Sequence, residues 1–279
     1  MNSMQDELFS VAGQIVVVSG GSRGIGLALA EGFLQRNSTV IITGKDKNNL
    51  EKALEGLVKL NQKINDHSGA NETGSVDGLL CDVSDTKAID TTVEKIIKKY
   101  GRIDTLINVA GVNRRKPALE LSEADYDYIM NINCKGAMMF SLAVGRHMVA
   151  ARKGSQINIA SLNNDKPVLA VAPYAMSKAA MGHMTRSLAM EWGHHGVRVN
   201  ALAPGFILTD LTRKLWSQPK MQEWGMQNIP LKRLGQPGDM IGTAIFLASP
   251  ASNYLTGQVI VVDGGFTAGF NWPIDFSQQ

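Results

Sequence analysis

Apolar positions along this chain alternate between two rhythms. Short runs rich in β-branched residues fall at 15–18, 40–43, 76–81, 105–108, 157–160, 197–202 and 259–262, and read as buried strands. Between them lie longer stretches with helical spacing: over 85–100, Ile89, Val93, Ile96 and Ile97 share one face, and 27–35 continues a helical pattern. Ser84 and Ser122 are placed to cap helices, and Pro237 suits a first helical turn. Repeated strand–helix–strand units imply parallel strands joined by right-handed crossovers. The pattern therefore predicts one α/β domain over 1–279, doubly wound, with a seven-stranded parallel sheet and helices on both faces.

Two segments break the rhythm. Residues 61–78 (NQKINDHSGANETGSVDG) are polar and poor in large apolar side chains, which predicts a surface insertion. Residues 206–234 mix helical patterning with Trp216 and Trp224, and form a candidate substrate-binding lid within the domain.

Composition narrows the functional classes. With 279 residues the chain can bury a sizeable core, and 28 glycines without a G-X-Y period point to turns or close ligand contact. Cys81 and Cys134, the only two cysteines, make no CxxC pattern, and the five histidines do not pair with them or with carboxylates at ligand spacing, so no metal site is expected. The net charge of +3 comes without a basic cluster interleaved with aromatics, which excludes nucleic acid as a partner. No run of about 18 apolar residues predicts a membrane span. Residues 1–8 lack a basic stretch followed by an apolar one, so a soluble, cytoplasmic protein is expected.

The first strand runs into Ser19-Gly20-Gly21-Ser22-Arg23-Gly24-Ile25-Gly26 and then a helical pattern. Gly20 allows a tight turn, Gly24 lets backbone approach a pyrophosphate, and Gly26 lets the helix pack close to the strand. The N–H groups at that helix start then face phosphate. The second strand ends in Gly44 and Lys45 rather than in an acid. Lys45 and Arg23 could neutralise a ribose 2′-phosphate, which favours NADP(H), while Asp46 keeps NAD(H) possible.

Tyr174-Ala175-Met176-Ser177-Lys178 places a phenol and an ammonium at i, i+4 on one helix face. The ammonium favours the phenolate, as a proton-transferring tyrosine requires. Ser161 follows the fifth strand at its C-terminal end, where open α/β sheets bind ligands.

Together these residues resemble the short-chain dehydrogenase/reductase family over about 11–265. The resemblance implies a Rossmann fold, a homotetramer or homodimer, and a small-molecule ketone or alcohol substrate. It implies catalytic roles for Asn133, Ser161, Tyr174 and Lys178, with Lys178 also holding the nicotinamide ribose and Tyr174 lying against the cofactor. The further cofactor contacts it implies are Gly20, Ser22, Arg23, Gly24, Ile25 and Gly26 in the turn. Asp82 and Val83 would stand near the adenine, Asn108, Ala110 and Gly111 in the element after the fourth strand. Pro204, Gly205, Ile207 and Thr209 would form the nicotinamide-side loop. Ser19 and Val109 depart from the family's usual threonine and second asparagine.

After the fourth strand, Arg114 and Arg115 stand where a substrate carboxylate could be paired. This loop, with 231–235, 242–246 and 261–265, looks like the gluconate 5-dehydrogenase branch, which interconverts a sugar acid and its 5-keto form. A 2-dehydro-3-deoxygluconate 5-dehydrogenase, a 3-oxoacyl thioester reductase and a non-catalytic NADPH sensor are the alternatives. Trp216, Trp224 and Trp272 are candidate pocket walls, and the tail 266–279 is a candidate arm toward a neighbouring subunit.

Overall fold

The computed structural model describes residues 7–68, 74–269 and 272. Its strands are β1 (Ile15–Ser19), β2 (Thr39–Gly44), β3 (Val76–Leu80), β4 (Thr105–Asn108), β5 (Gly154–Ile159), β6 (Val197–Pro204) and β7 (Val259–Val262). Its helices are α1 (Gly24–Leu34), α2 (Lys47–Ser68), α3 (Thr86–Tyr100), α4 (Glu123–Met130), α5 (Ala137–Ala151), α6 (Ala172–Trp192), α7 (Asp210–Trp216), α8 (Pro219–Asn228) and α9 (Ile241–Ala248). All strand pairs are parallel, in the order β3-β2-β1-β4-β5-β6-β7.

Alternation along the strands explains why their sequences read as continuous apolar runs. Val16, Val18, Val40 and Ile42 join one core with Leu29 and Phe33 of α1 and Leu57 of α2. Ile15, Val17 and Ile41 point the other way, into a core with Ile89 and Val93 of α3 and Phe140 of α5. A strand covered on both faces has no polar side to show. The strand order reverses between β1 and β4, where a crevice opens beyond the carboxyl ends.

Local structure departs from the sequence reading at two places. Asp85, not Ser84, caps α3: its carboxylate accepts the N–H of Lys87 at 2.9 Å, while the Ser84 hydroxyl donates to Asp82 at 2.8 Å. Ser122 caps α4 as expected, in a capping box with Asp125. Residues 61–78 are no loop insertion over their described length, because α2 runs on to Ser68 and β3 begins at Val76. Leu60 and Ile64 pack against the core and extend the stripe begun by Leu50, Ala53 and Leu57, so the polar residues between them are the outer face of a long edge helix.

Candidate active site

The carbonyl of Ser19 accepts the N–H groups of both Val109 and Ala110 at 3.0 Å, which pins the loop after β4 against the glycine turn. Gly20 has φ +75, and a Cβ there would sit 2.7 Å from the Ala110 nitrogen, so only glycine serves. A Cβ on Gly26 would run into the carbonyl of Gly20, which is why α1 can start this close to the turn. Arg23 stands at the head of α1 and its side chain makes no capping hydrogen bond. The first-turn N–H groups are thus without a side-chain acceptor, beside a cleft of about 390 Å³ lined by Gly20, Ser22, Arg23, Gly24 and Ile25. Free N–H groups at the positive end of a helix fit the pyrophosphate of a dinucleotide.

The cleft continues past Lys45, Asp46, Asn49, Asp82 and Val83 on one side and Ala110 and Gly111 on the other. Burial would raise the Asp82 carboxyl, but hydrogen bonds from Ser84 and the Lys45 ammonium bring it below its ordinary value. Asp46 accepts the backbone N–H of Asn49 at 2.8 Å, so its carboxylate is engaged in starting α2. Lys45 also lines the cleft at this end, its Nζ 6.0 Å from the Tyr128 ring centre.

A second cavity of about 170 Å³ shares Ile25, Val109, Gly111, Val112, Thr209 and Leu211 with the cleft, so the two are continuous. Ser161, Tyr174, Lys178, Pro204, Gly205 and Ile207 also line it. Burial pushes the Tyr174 phenol up, against a hydrogen bond from Ser161 and the field of Arg115, which both lower it. Lys178 is buried, and its pKa is pushed down to about 8. Its Nζ donates to the Ile159 carbonyl at 2.6 Å and lies 5.7 Å from the Tyr174 ring centre. Ser161 and Arg115 pull the Tyr174 phenol down, while the Lys178 ammonium is penalised by burial and donates to a carbonyl.

Asn133 lies in a π-helical turn, Asn131–Gly136, between α4 and α5. Its Oδ1 accepts the Val112 N–H at 2.8 Å, and its Nδ2 donates to the Val112 carbonyl and to Ser177 Oγ at 2.9 and 3.1 Å. It ties three elements together behind Gly111, where a Cβ would meet Asn133 Oδ1 at 3.5 Å and Lys178 Nζ at 3.7 Å. Asn108 does not line either cavity; its Nδ2 donates to Ser141 and Asn158 at 2.9 Å each, holding β4 to β5 and α5.

The two arginines of the mouth divide. Arg114 pairs with the buried Asp125 at 2.7 Å and stacks 4.2 Å over Tyr128, and Lys116 pairs with the same carboxylate at 2.6 Å. Arg114 is therefore committed to the loop's own structure rather than free for a substrate. These two cations and the Ser122 cap hold Asp125 far below the usual carboxylate range. Arg115 is exposed and, among the described residues, has no carboxylate partner. The segment 206–234 folds as α7 and α8, with Phe206, Trp216, Trp224 and Phe266 in one aromatic cluster. The tryptophans expected in the pocket wall pack against each other instead, and Trp272 is 79% exposed. The tail beyond 269 lies, Trp272 apart, outside the described residues. Sequence reasoning missed Val112 and Leu211, which line both cavities; neither carries a signal beyond being apolar.

A family model described as Enoyl-(Acyl carrier protein) reductase matches residues 20–267. The chain is 36% identical to a gluconate 5-dehydrogenase of Gluconobacter oxydans, over 94% of this chain and 97% of that one. It is 38% identical to a 3-oxoacyl-[acyl-carrier-protein] reductase of Thermotoga maritima, over 91% of this chain and 97% of that one. The crystal structure of a gluconate 5-dehydrogenase from Burkholderia cenocepacia, in complex with NADP and tartrate, superposes with a TM-score of 0.85 at 32% identity, covering 94% of this chain and 98% of that one. With a dinucleotide crevice at the reversal of strand order, and Ser161, Tyr174 and Lys178 gathered beside it, this chain belongs to the short-chain dehydrogenase/reductase family of NAD(P)-dependent oxidoreductases.

Proposed function

We propose that the protein interconverts a sugar acid and its keto form with NADP(H), gluconate and 5-ketogluconate being the favoured pair. The observation that carries this reading is Arg115, a cation without a carboxylate partner among the described residues, whose field reaches Tyr174 in the wall of the second cavity. A carboxylate held there would place the rest of a sugar chain toward Ser161 and Tyr174. The relatives named for gluconate oxidation and the neighbour holding NADP and tartrate support it.

When bound, the nicotinamide supplies or accepts hydride. Tyr174 gives its proton to the substrate oxygen during ketone reduction and takes it back during alcohol oxidation. Ser161 donates a hydrogen bond to that oxygen, and Lys178 holds the cofactor ribose. Asn133 supports Lys178 through the turn it anchors. Arg23 and Lys45 neutralise the 2′-phosphate, with Asp82 and Val83 near the adenine and Pro204, Gly205, Ile207 and Thr209 beside the nicotinamide. The helices α7 and α8 act as the lid. Assembly as a homotetramer or homodimer follows from family resemblance.

A 3-oxoacyl thioester is the second reading, favoured by the 38% identical reductase. A panel of keto sugar acids, neutral ketoses and 3-oxoacyl thioesters, read by NADPH and NADH oxidation, separates the two. Turnover confined to thioesters would overturn the sugar-acid reading, and a preference for NADH would overturn the roles of Arg23 and Lys45.

A further inference from the structure

A serine hydroxyl has one proton to give and two lone pairs to fill. At Ser161 both lone pairs face donors from a single residue. The backbone N–H of Asn163 reaches Ser161 Oγ at 3.2 Å, and the Asn163 side-chain Nδ2 reaches it at 3.1 Å. Asn163 is buried, and its amide orientation is settled by a group that can only donate: the Val168 N–H, which gives to Asn163 Oδ1 at 3.0 Å. The neighbouring Asn164 points elsewhere, its Nδ2 donating to Asp165 at 2.8 Å.

With its acceptor sites taken, Ser161 must direct its own proton outward, into the cavity that it lines together with Tyr174. The opposite polarity, Tyr174 donating to Ser161, would stabilise the neutral phenol and leave no donor for a developing alkoxide. We infer that Asn163 is a positioning residue that fixes Ser161 as a hydrogen-bond donor toward the reacting oxygen, and so ties the polarity of the site to the loop between β5 and α6. The inference rests on the proton-transfer roles given to Ser161 and Tyr174 above. The charged groups facing Tyr174 are Arg115, from the loop after β4, and Lys178, from its own helix. Neither is altered in the variants that follow.

Asn163→Asp tests it almost isosterically. The carboxylate still accepts from Val168 N–H, but where Nδ2 donated it now accepts, and it competes for the Ser161 proton. In this variant kcat falls about 100-fold, the loss typical of removing one preorganised donor at a reacting oxygen. NADP⁺ affinity, read by titration calorimetry, stays at the wild-type value. The alkaline rise of alcohol oxidation shifts to higher pH, because the phenolate loses its donor. Asn163→Ala removes the donor without adding charge, and lowers kcat about 10-fold with a smaller shift in the same direction.

Unchanged kcat and pH profile in Asn163→Asp, with only a lower Tm, would make Asn163 a plain loop anchor and end the inference. A shift in the Asp variant with none in a folded Ala variant would assign the effect to charge and end it equally. If Asn163→Ala does not fold, the kcat and pH profile of Asn163→Asp decide. Tyr174→Phe run in parallel keeps the two levels apart: if it stays active, the proton-transfer reading itself fails, whereas an inactive Tyr174→Phe beside an unaltered Asn163→Asp removes only the role of Asn163.

Discussion

The two halves of the site are built from different materials. The cofactor cleft is made mostly of backbone: N–H groups at the head of α1, the carbonyl of Ser19, and glycines that let three segments touch. The substrate side is made of side chains brought from β5, α6, and the loops after β4 and β6. Backbone geometry depends on which residues can adopt a turn, and it tolerates little else. Side-chain chemistry depends on partners that lie far apart in the chain, and single groups carry whole functions.

The sharpest way to break this comparison is at Tyr174. Tyr174→Phe should lower kcat at least about 1,000-fold, within the range for losing a general acid–base, while titration with NADP⁺ shows nearly wild-type affinity. Gly26→Val attacks the other half. Its side chain has no space beside the Gly20 carbonyl, so about 3 kcal/mol of stability should be lost in urea unfolding and NADPH fluorescence enhancement should disappear.

Smaller effects test the two ends of the crevice. Lys45→Ala should reduce the NADPH-over-NADH preference in kcat/KM about 10-fold, the worth of one charge-assisted contact. Arg115→Gln should raise KM for the sugar acid about 10-fold but leave a neutral ketose unaffected. Because Arg115 lowers the Tyr174 pKa, its removal should also move the alkaline limb of oxidation upward.

A different readout is stability against pH. Burial lowers Lys178 from 10.5 to about 8, so between those values the folded state is neutral there and the unfolded state is still protonated. Stability contributed at this position therefore rises as pH climbs from about 8 to 10.5, and is reduced below that window. Wild-type Tm should gain on Lys178→Met across that range in thermal melts; a constant difference would show that the ammonium is not penalised.

Much of the fold was legible from one-dimensional pattern. The seven strands stand at their expected places because strands covered on both faces, as β1 and β2 are, keep apolar side chains on both. The glycine turn was legible for a similar reason, since a positive φ at Gly20 and contact at Gly26 leave no choice of residue. Residues 61–68 misled because an edge helix shows mostly polar side chains, and its sparse stripe of Leu57, Leu60 and Ile64 is easily passed over. Arg114 misled differently. Its partner Asp125 belongs to α4, and nothing in an Arg-Arg-Lys run reveals which cation a buried carboxylate will claim.

The sequence by itself determined the sheet, the crevice and the chemical types gathered at it, because hydrophobic period and glycine geometry are local constraints. Tertiary structure decided which groups actually act on one another. It set Lys178 against the Ile159 carbonyl, filled both lone pairs of Ser161 from Asn163, and committed Arg114 rather than Arg115 to the buried Asp125. The physical reason is that hydrogen-bond polarity and charge pairing are settled by distance and burial, which no spacing along the chain encodes.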